Sequence, residues 1–419
     1  MKTRILLFFF SICCFAVAGQ AQTSGEIVRT MLQQQGNPEF TECDIHLLPS
    51  GREKYEDLFR AVKNARSYVH LEYFILRTDS IGMALLELLG EKAREGVEIR
   101  ILIDAYGNYK SPYPIPEGQL DIIRSSGIKI ALFDPLRFPW LPNMYHRDHR
   151  KIVVIDGLYA YTGGMNVADY YLHGTERTGQ WRDMQVRLSG SVVDEYQRIF
   201  AKIWEQTTGE RLDAALYKAS AEAAQAEEEV ANDGADKATV CVVNREPGKL
   251  SRQMRQAFVA ALDASQEEVR IVNPYPTGTR SVTRAMKRAM KRGVRLQLMV
   301  SANMDNRITP EVVAIQMKKL MKRGAEVYYY EDGFHHTKVM TVDREFCTIG
   351  TANLDGRSLR YDYEVNAFIF SPLTTNRLDA IFDNDLQQSK ILTPRNFKER
   401  FSLRQRFVGR LFWPVKCVL

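Results

Sequence analysis

The sequence predicts an α/β fold of two tandem, related domains, each a mixed β-sheet flanked by helices, related by a pseudo-twofold axis. Three observations predict it. The string HRKIVVIDG at 149–157 returns as HTKVMTVDR at 336–344, so His149, Lys151 and Asp156 are answered by His336, Lys338 and Asp343 at the same offsets. The repeat runs on past the motif, since Gly163, Gly164 and Asn166 are answered by Gly350, Thr351 and Asn353. Both strings also follow the same succession of apolar runs and amphipathic stretches, the mark of a duplicated supersecondary unit.

Taken in order, YVHLEYFIL reads as a strand, IGMALLELLGEKAREG as a helix closed by Gly96, and VEIRILIDAYG as the next strand. QLDIIRSSG and IKIALFDP supply a second helix and a third strand. The second half answers with VRIVNPYP, SVTRAMKRAMKRG closed by Gly293, VRLQLMVSA, VVAIQMKKLMKRG and AEVYYYEDG. Each β-α-β-α-β run leads into an extended segment bearing His and Lys. Two-residue spacing puts that pair on one face of a strand. The glycines that follow permit a tight turn or a close backbone approach to an anion, and Asn166 and Asn353 supply amide donors.

Composition marks the remaining segments. Residues 1–21 carry Lys2, Arg4 and an apolar run from Leu6 to Ala18, with small residues before cuts after Ala18 or Ala21, which predicts a signal peptide and an exported protein, in the bacterial periplasm, on the outer face of the inner membrane or secreted. That run is shorter than the roughly 20 residues of a membrane-crossing helix, although an uncleaved anchor is the alternative. An N-terminal extension at 22–44 precedes a first domain at 45–210. An Ala/Glu-rich linker at 211–237 separates it from a second domain at 238–396. The C-terminal segment 397–419 joins Phe401, Phe407, Leu411, Phe412 and Trp413 to Lys398, Arg400, Arg404, Arg406 and Arg410. It suits either an anionic membrane surface or docking on the second domain. The loop FPWLPNM, with Phe138, Trp140, Leu141 and Met144, either dips into lipid or covers the site.

The motif residues define a chemistry. A phosphodiester resists nucleophiles, so its transfer calls for a neutral nitrogen nucleophile, positive charge around the nonbridging oxygens and an acid for the leaving alkoxide. Histidine, with an ordinary pKa of about 6.5, fills the first and last roles. Lys151 and Lys338 provide charge, while Asn166, Asn353, Gly164 and Thr351 are the phosphate-binding candidates. One histidine attacks phosphorus while the other protonates the departing alcohol and then activates water or an acceptor alcohol. The near symmetry of the halves leaves the order of the two open, and no metal or other cofactor is required. Asp156 and Asp343 complete the motifs, with the task of holding local structure and the lysine charges. The net charge of +6 suits an anionic substrate without choosing between phospholipid and nucleic acid. Of the cysteines, Cys43, Cys241, Cys347 and Cys417 form no zinc-like cluster.

On HRDHRKIVVIDGLYAYTGGMNVADYY, WRDMQVRLSGSVVDEYQRIFAKIWE and HTKVMTVDREFCTIGTANLDGRSLRYDYEVN, the chain resembles the bacterial cardiolipin synthases of the phospholipase D superfamily, over about residues 45–210 and 238–419. The resemblance implies two tandem phospholipase D-like domains and phosphatidyl transfer between anionic glycerophospholipids through a phosphohistidine. Phospholipid hydrolysis and a secreted metal-independent nuclease are the alternatives. It implies His149 as nucleophile and His336 as general acid/base. Glu364 and Asp183, each at the start of the apolar strand after a motif, are implied as orienting acceptors for His336 and His149. Tyr170, Tyr171, Asp355, Arg357 and Ser358 fit elements that close loops and position a headgroup. Arg147 and Arg150 either contact a headgroup or form a solvated basic edge, while Glu72 and Asp104 stand at the sheet rim without a catalytic role. The implied partner is an anionic phospholipid reached by peripheral membrane contact, with nucleic acid as the alternative substrate. The expected state is a monomer, since both half-sites lie in one chain. One departure stands out: bacterial cardiolipin synthases carry two N-terminal membrane helices, and past residue 21 no stretch here is long and apolar enough for one.

Overall fold

The computed structural model describes residues 22–111, 113–135, 145–220, 237–248, 250–306 and 308–416. The expected signal peptide, the FPWLPNM loop, most of the Ala/Glu-rich linker and Cys417 lie outside them. The strands of the first half are β1 (Glu39–Leu48), β2 (Tyr68–Tyr73), β3 (Glu98–Asp104), β4 (Lys129–Phe133), β5 (Ile152–Ile155), β6 (Tyr159–Gly163), β7 (Trp181–Arg182) and β8 (Gln185–Ser189). Those of the second are β9 (Lys237–Arg245), β10 (Glu268–Val272), β11 (Arg295–Ser301), β12 (Glu326–Tyr330), β13 (Phe334–His335), β14 (Val339–Val342), β15 (Phe346–Gly350), β16 (Glu364–Phe370) and β17 (Ser389–Ile391).

Fifteen of these strands form one sheet, in the order β17-β12-β11-β10-β14-β15-β16-β9-β1-β8-β6-β5-β2-β3-β4. From the antiparallel β1–β9 pair at its centre, the strands succeed one another outward in matching order on both sides. β8, β6, β5, β2, β3 and β4 on one side answer β16, β15, β14, β10, β11 and β12 on the other. In each half three parallel strands are joined by helical crossovers, and the motif strand runs antiparallel beside the first of them.

Local sequence explains the crossover helices. In Arg280–Lys291 the side chains of Val282, Ala285, Met286 and Ala289 recur at helical spacing and are buried, while the lysines and arginines fall on the other face. Thr279 caps its first turn by accepting from the Val282 amide. Asp79 does the same for Ser80–Arg94.

Each half has its own buried cluster, and the seam between them adds a further one. One buried cluster runs through the central seam and mixes Cys43, Ile45 and Val186 of the first half with Val240, Ile349 and Val365 of the second. Residues 22–44, read as an extension, are integral to this arrangement. Helix Ser24–Gln34 crosses to the far half, where Val28 and Leu32 join the core of Met254, Phe258 and Val269, and Gly25 N donates to Glu345 at 2.6 Å. Residues 39–44 then open the central strand β1. At the other boundary, Tyr217 packs on the first half, its ring 5.0 Å from that of Tyr68.

Candidate functional site

The extended stretch leading into β5 reads Arg147-Asp148-His149-Arg150-Lys151, and its alternation sorts the side chains onto two faces. Arg150 and Asp148 point one way, His149 and Lys151 the other. Arg150 is fully buried between Glu72 at 3.0 Å and Asp148 at 3.2 Å, with its guanidinium over the Tyr363 ring. Arg147 is fully buried against Asp104 at 3.0 Å and Asp134 at 3.0 Å. Both are fully buried, so neither forms a solvated edge. Both hold the His149 segment in place, because a buried guanidinium is tolerated only where carboxylates and carbonyls satisfy its fork of donors.

On the opposite face the two halves exchange partners. His149 Nδ1 lies 3.0 Å from Glu364 Oε1, and His336 Nδ1 lies 2.7 Å from Asp183 Oδ2. Each imidazole therefore meets the carboxylate of the other half, not that of its own as the resemblance implied. The backbone explains the exchange. His149 N donates to Tyr363 O, next to Glu364, and His336 N donates to Arg182 O, next to Asp183. The segment before each histidine is thus zipped in parallel to the segment before the opposite acid.

The residues after each motif serve these carboxylates. The Thr351 hydroxyl donates to Glu364 Oε2. At the matching position, a Cβ on Gly164 would lie 2.1 Å from Asp183 Oδ1, so glycine is what admits the carboxylate. Gly164 and Thr351 thus both face carboxylates. Asn166 is also committed, its Oδ1 accepting from Ile75 N at 3.0 Å and its Nδ2 meeting the Tyr171 hydroxyl at 3.3 Å. Asn353 differs and lines the cavity beside His149.

Asp156 and Asp343 stand at the far ends of their strands from the histidines. Asp156 accepts from the backbone amides of Arg66, Ser67 and Tyr68, and Asp343 from those of Gln266, Glu267 and Glu268. They fasten the entries to β2 and β10 and hold neither lysine. The lysines instead turn back on their own motifs, Lys151 Nζ donating to His149 O and Lys338 Nζ to His336 O, both at 2.6 Å.

The electrostatics of the two dyads differ. Burial pushes the His149 imidazole well below its ordinary pKa, and the Lys151 charge adds to this. His336 is lowered by burial and then by Lys338, whose Nζ lies 2.9 and 3.2 Å from the two ring nitrogens. Burial pushes the Glu364 carboxyl up against the pull of Lys151. Burial also works on Asp183, but Lys338 and His336 outweigh it and hold that carboxyl below the usual range. Burial lowers Lys151 to about 7, and it lowers Lys338 as well.

A cavity of about 210 Å³ opens at His149 and is lined also by Phe74, Tyr106, Tyr275, Asn353 and Arg357. The Tyr275 ring lies 6.2 Å from that of His336, and the Phe74 ring 5.1 Å from that of His149. Both aromatics went unnoticed in the sequence, although each stands just past the carboxyl end of a parallel strand, where ligands of α/β sheets gather. Of the loop-closure candidates, Asp355, Arg357 and Ser358 line this cavity. Tyr170 and Tyr171 are buried beside Trp181, with ring centroids 4.2 and 5.7 Å from it. Among the described residues no group of His, Cys, Asp and Glu is arranged to hold a metal ion, and no helix is long and apolar enough to cross a membrane.

The chain matches the family described as "Cardiolipin synthase, PLD-like domain" over residues 58–204 and 258–386. It is 32% identical over 364 residues to the probable cardiolipin synthase YwiE of Bacillus subtilis (strain 168), a match spanning 86% of this chain and 69% of that protein. To the cardiolipin synthase of Geobacillus kaustophilus (strain HTA426) it is 32% identical over 372 residues, spanning 88% and 72%. Among solved structures it is similar in fold to phosphatidylserine synthase from Haemophilus influenzae Rd KW20. That match has a TM-score of 0.70 at 15% identity and covers 93% of this chain and 99% of that one.

Proposed function

The chain belongs to the phospholipase D superfamily of phosphodiester transferases and hydrolases, and from that premise we propose that it transfers a phosphatidyl group between anionic glycerophospholipids to form a cardiolipin-type product. The observation that supports this reading is the crossed pairing, in which each imidazole bonds the other half's carboxylate and each lysine folds back on its own histidine. In this reading the halves are related by a pseudo-twofold axis through the β1–β9 seam, and one chain suffices for one site.

With Nδ1 of each ring tied to a carboxylate, Nε2 is the nitrogen that does the chemistry, and at His336 the Lys338 amine 3.2 Å from it turns to the diester's oxygens when substrate arrives. His149, held neutral, attacks phosphorus, and an N–P bond forms as the P–O bond to the leaving glycerol breaks. His336, its charged form favoured by ionised Asp183 and the arriving anion, gives its proton to that alkoxide. In the second step neutral His336 takes the proton of an acceptor hydroxyl on another phosphatidylglycerol. The freed oxygen forms a new P–O bond and the N–P bond breaks. Water in the acceptor's place yields phosphatidic acid. The diester's negative charge returns Lys151 to its ammonium form, so both lysines balance the nonbridging oxygens. We place this reaction outside the cytoplasm, on the strength of the apolar run from Leu6 to Ala18.

The test is incubation with phosphatidylglycerol vesicles and a chelator, beside single- and double-stranded DNA. A two-phosphate lipid is the expected product. Phosphatidic acid alone makes the protein a hydrolase, and loss of DNA alone makes it a nuclease. His149→Asn and His336→Asn should each abolish turnover, and full activity in both overturns the site.

A further inference from the structure

From Ser402 to Lys416 the chain carries Arg404, Arg406, Arg410 and Lys416 and no acidic residue. Most of this segment is the helix Leu403–Phe412, started by a capping box between Ser402 and Gln405. One side of it is docked. Gly409 sits so close to the helix Thr309–Met321 that a Cβ would lie 2.3 Å from Glu311 O, and the preceding Phe397 and Phe401 enter the second half's core. The other side is bare. Leu403, Phe407 and Leu411 are 78, 65 and 60% exposed. Their four-residue spacing stacks them into one ridge.

A ridge of three large apolar side chains marks a contact surface, and its flanks state the partner's charge. Arg404 and Arg410 are exposed beside it. Lys322, Arg410, Arg406 and Lys398 lie near enough to Lys318 to add to the effect of burial in lowering its pKa. Its place in the fold states the purpose. Lys416 Nζ donates to Thr277 O at 2.8 Å and contacts Gly278 O at 3.2 Å, two and three residues past the cavity-lining Tyr275. The helix beneath the ridge begins at Thr309, itself part of the cavity wall. Tyr109 and Tyr113 are exposed close in sequence to cavity-lining Tyr106, as befits side chains that favour a membrane interface.

We propose that the helix Leu403–Phe412 lies in the headgroup region of an anionic bilayer, with Leu403, Phe407 and Leu411 immersed and the arginines on lipid phosphates, and thereby sets the catalytic cavity against its substrate. The ridge is amphipathic in the manner of interfacial helices, which combine apolar burial with attraction to anionic lipid. The inference rests on the phospholipid reading above and explains how a chain without a described membrane span would reach bilayer substrate.

The experiment compares the parent protein with the triple variant Leu403→Ser, Phe407→Ser, Leu411→Ser, with Arg404→Gln plus Arg410→Gln, and with the control Leu216→Ser, another exposed leucine. Sedimentation with phosphatidylglycerol and with phosphatidylcholine vesicles reads docking. Turnover of short-chain phosphatidylglycerol dispersed as monomers reads the chemistry. The parent should prefer phosphatidylglycerol vesicles and release them in high salt. The triple variant should bind them at least about tenfold more weakly, lose vesicle turnover in proportion and keep monomer turnover. The arginine variant should lose the lipid preference, and the control should match the parent. Unchanged binding in the triple variant, equal parental binding to both vesicle types, or a parental dimer that the triple variant dissolves with vesicle binding intact would each overturn the proposal. If the parent turns over neither form of phosphatidylglycerol, the catalytic reading fails, while sedimentation still judges the docking.

Discussion

His149 and Glu364, 215 positions apart in the chain, share a 3.0 Å hydrogen bond, while the carboxylate that follows His149 in its own half, Asp183, serves His336. This exchange ties the two halves together at the paired motifs, each imidazole being held by the carboxylate of the other half. Glu364→Gln should therefore lower kcat by about 10- to 100-fold with little change in KM. NMR titration of the imidazoles should show the His149 resonance moved in Glu364→Gln and that of His336 left in place. A shift confined to His336 would contradict the crossed arrangement.

Gly164→Ala puts a methyl where Asp183 Oδ1 now lies, 2.1 Å from the new Cβ. Overpacking of this kind costs about 1–3 kcal/mol, and it should also displace the carboxylate from His336. Denaturant melts and kinetics should show both losses, whereas Gly118→Ala, with nothing within 4 Å, should show neither.

Asp156→Ala and Asp343→Ala separate stability from chemistry. Each removes an acceptor of three backbone amides, of which those at the strand entries are partly buried. The loss should be about 1–3 kcal/mol of unfolding free energy in each case. Activity per folded molecule should survive at temperatures well below Tm. A folded but inactive variant would return these carboxylates to the catalytic group.

Acid should weaken the fold through buried histidines. Burial lowers His70 to about 3, against an unfolded value near 6.5, so between these pH values the unfolded chain binds a proton that the native chain does not. That contribution is intact above pH ~6.5 and falls by about 1.4 kcal/mol per pH unit as pH drops toward the native value. The buried carboxyls of Asp104 and Asp355, pushed up to about 7, act in the opposite sense, so the variant must be compared with its parent. In His70→Gln the pH slope of urea-melt stability should flatten by about one proton between pH 4 and 6. Activity at neutral pH should be unchanged, since His70 bonds Gln197 and Glu98 away from the cavity.

The sequence by itself determined the duplication, the order of strands and helices in each half and the pairing of His with Lys on one strand face. These follow from periodicities of two and 3.6 residues, which the chain carries locally. Caps of this kind, such as Thr279 before Val282, are likewise local and involve no distant contacts. Only the tertiary structure decided that Glu364 serves His149, that Arg147 and Arg150 are buried struts, that Thr351 and Gly164 accommodate carboxylates, and that Ser24–Gln34 caps the opposite half. The first and last of these depend on which segments meet across the β1–β9 seam, and the others on which segments the sheet brings together within one half. Contacts between residues some two hundred positions apart leave no periodic trace in either segment, and a buried charge finds its partner only when the sheet brings one within hydrogen-bond reach.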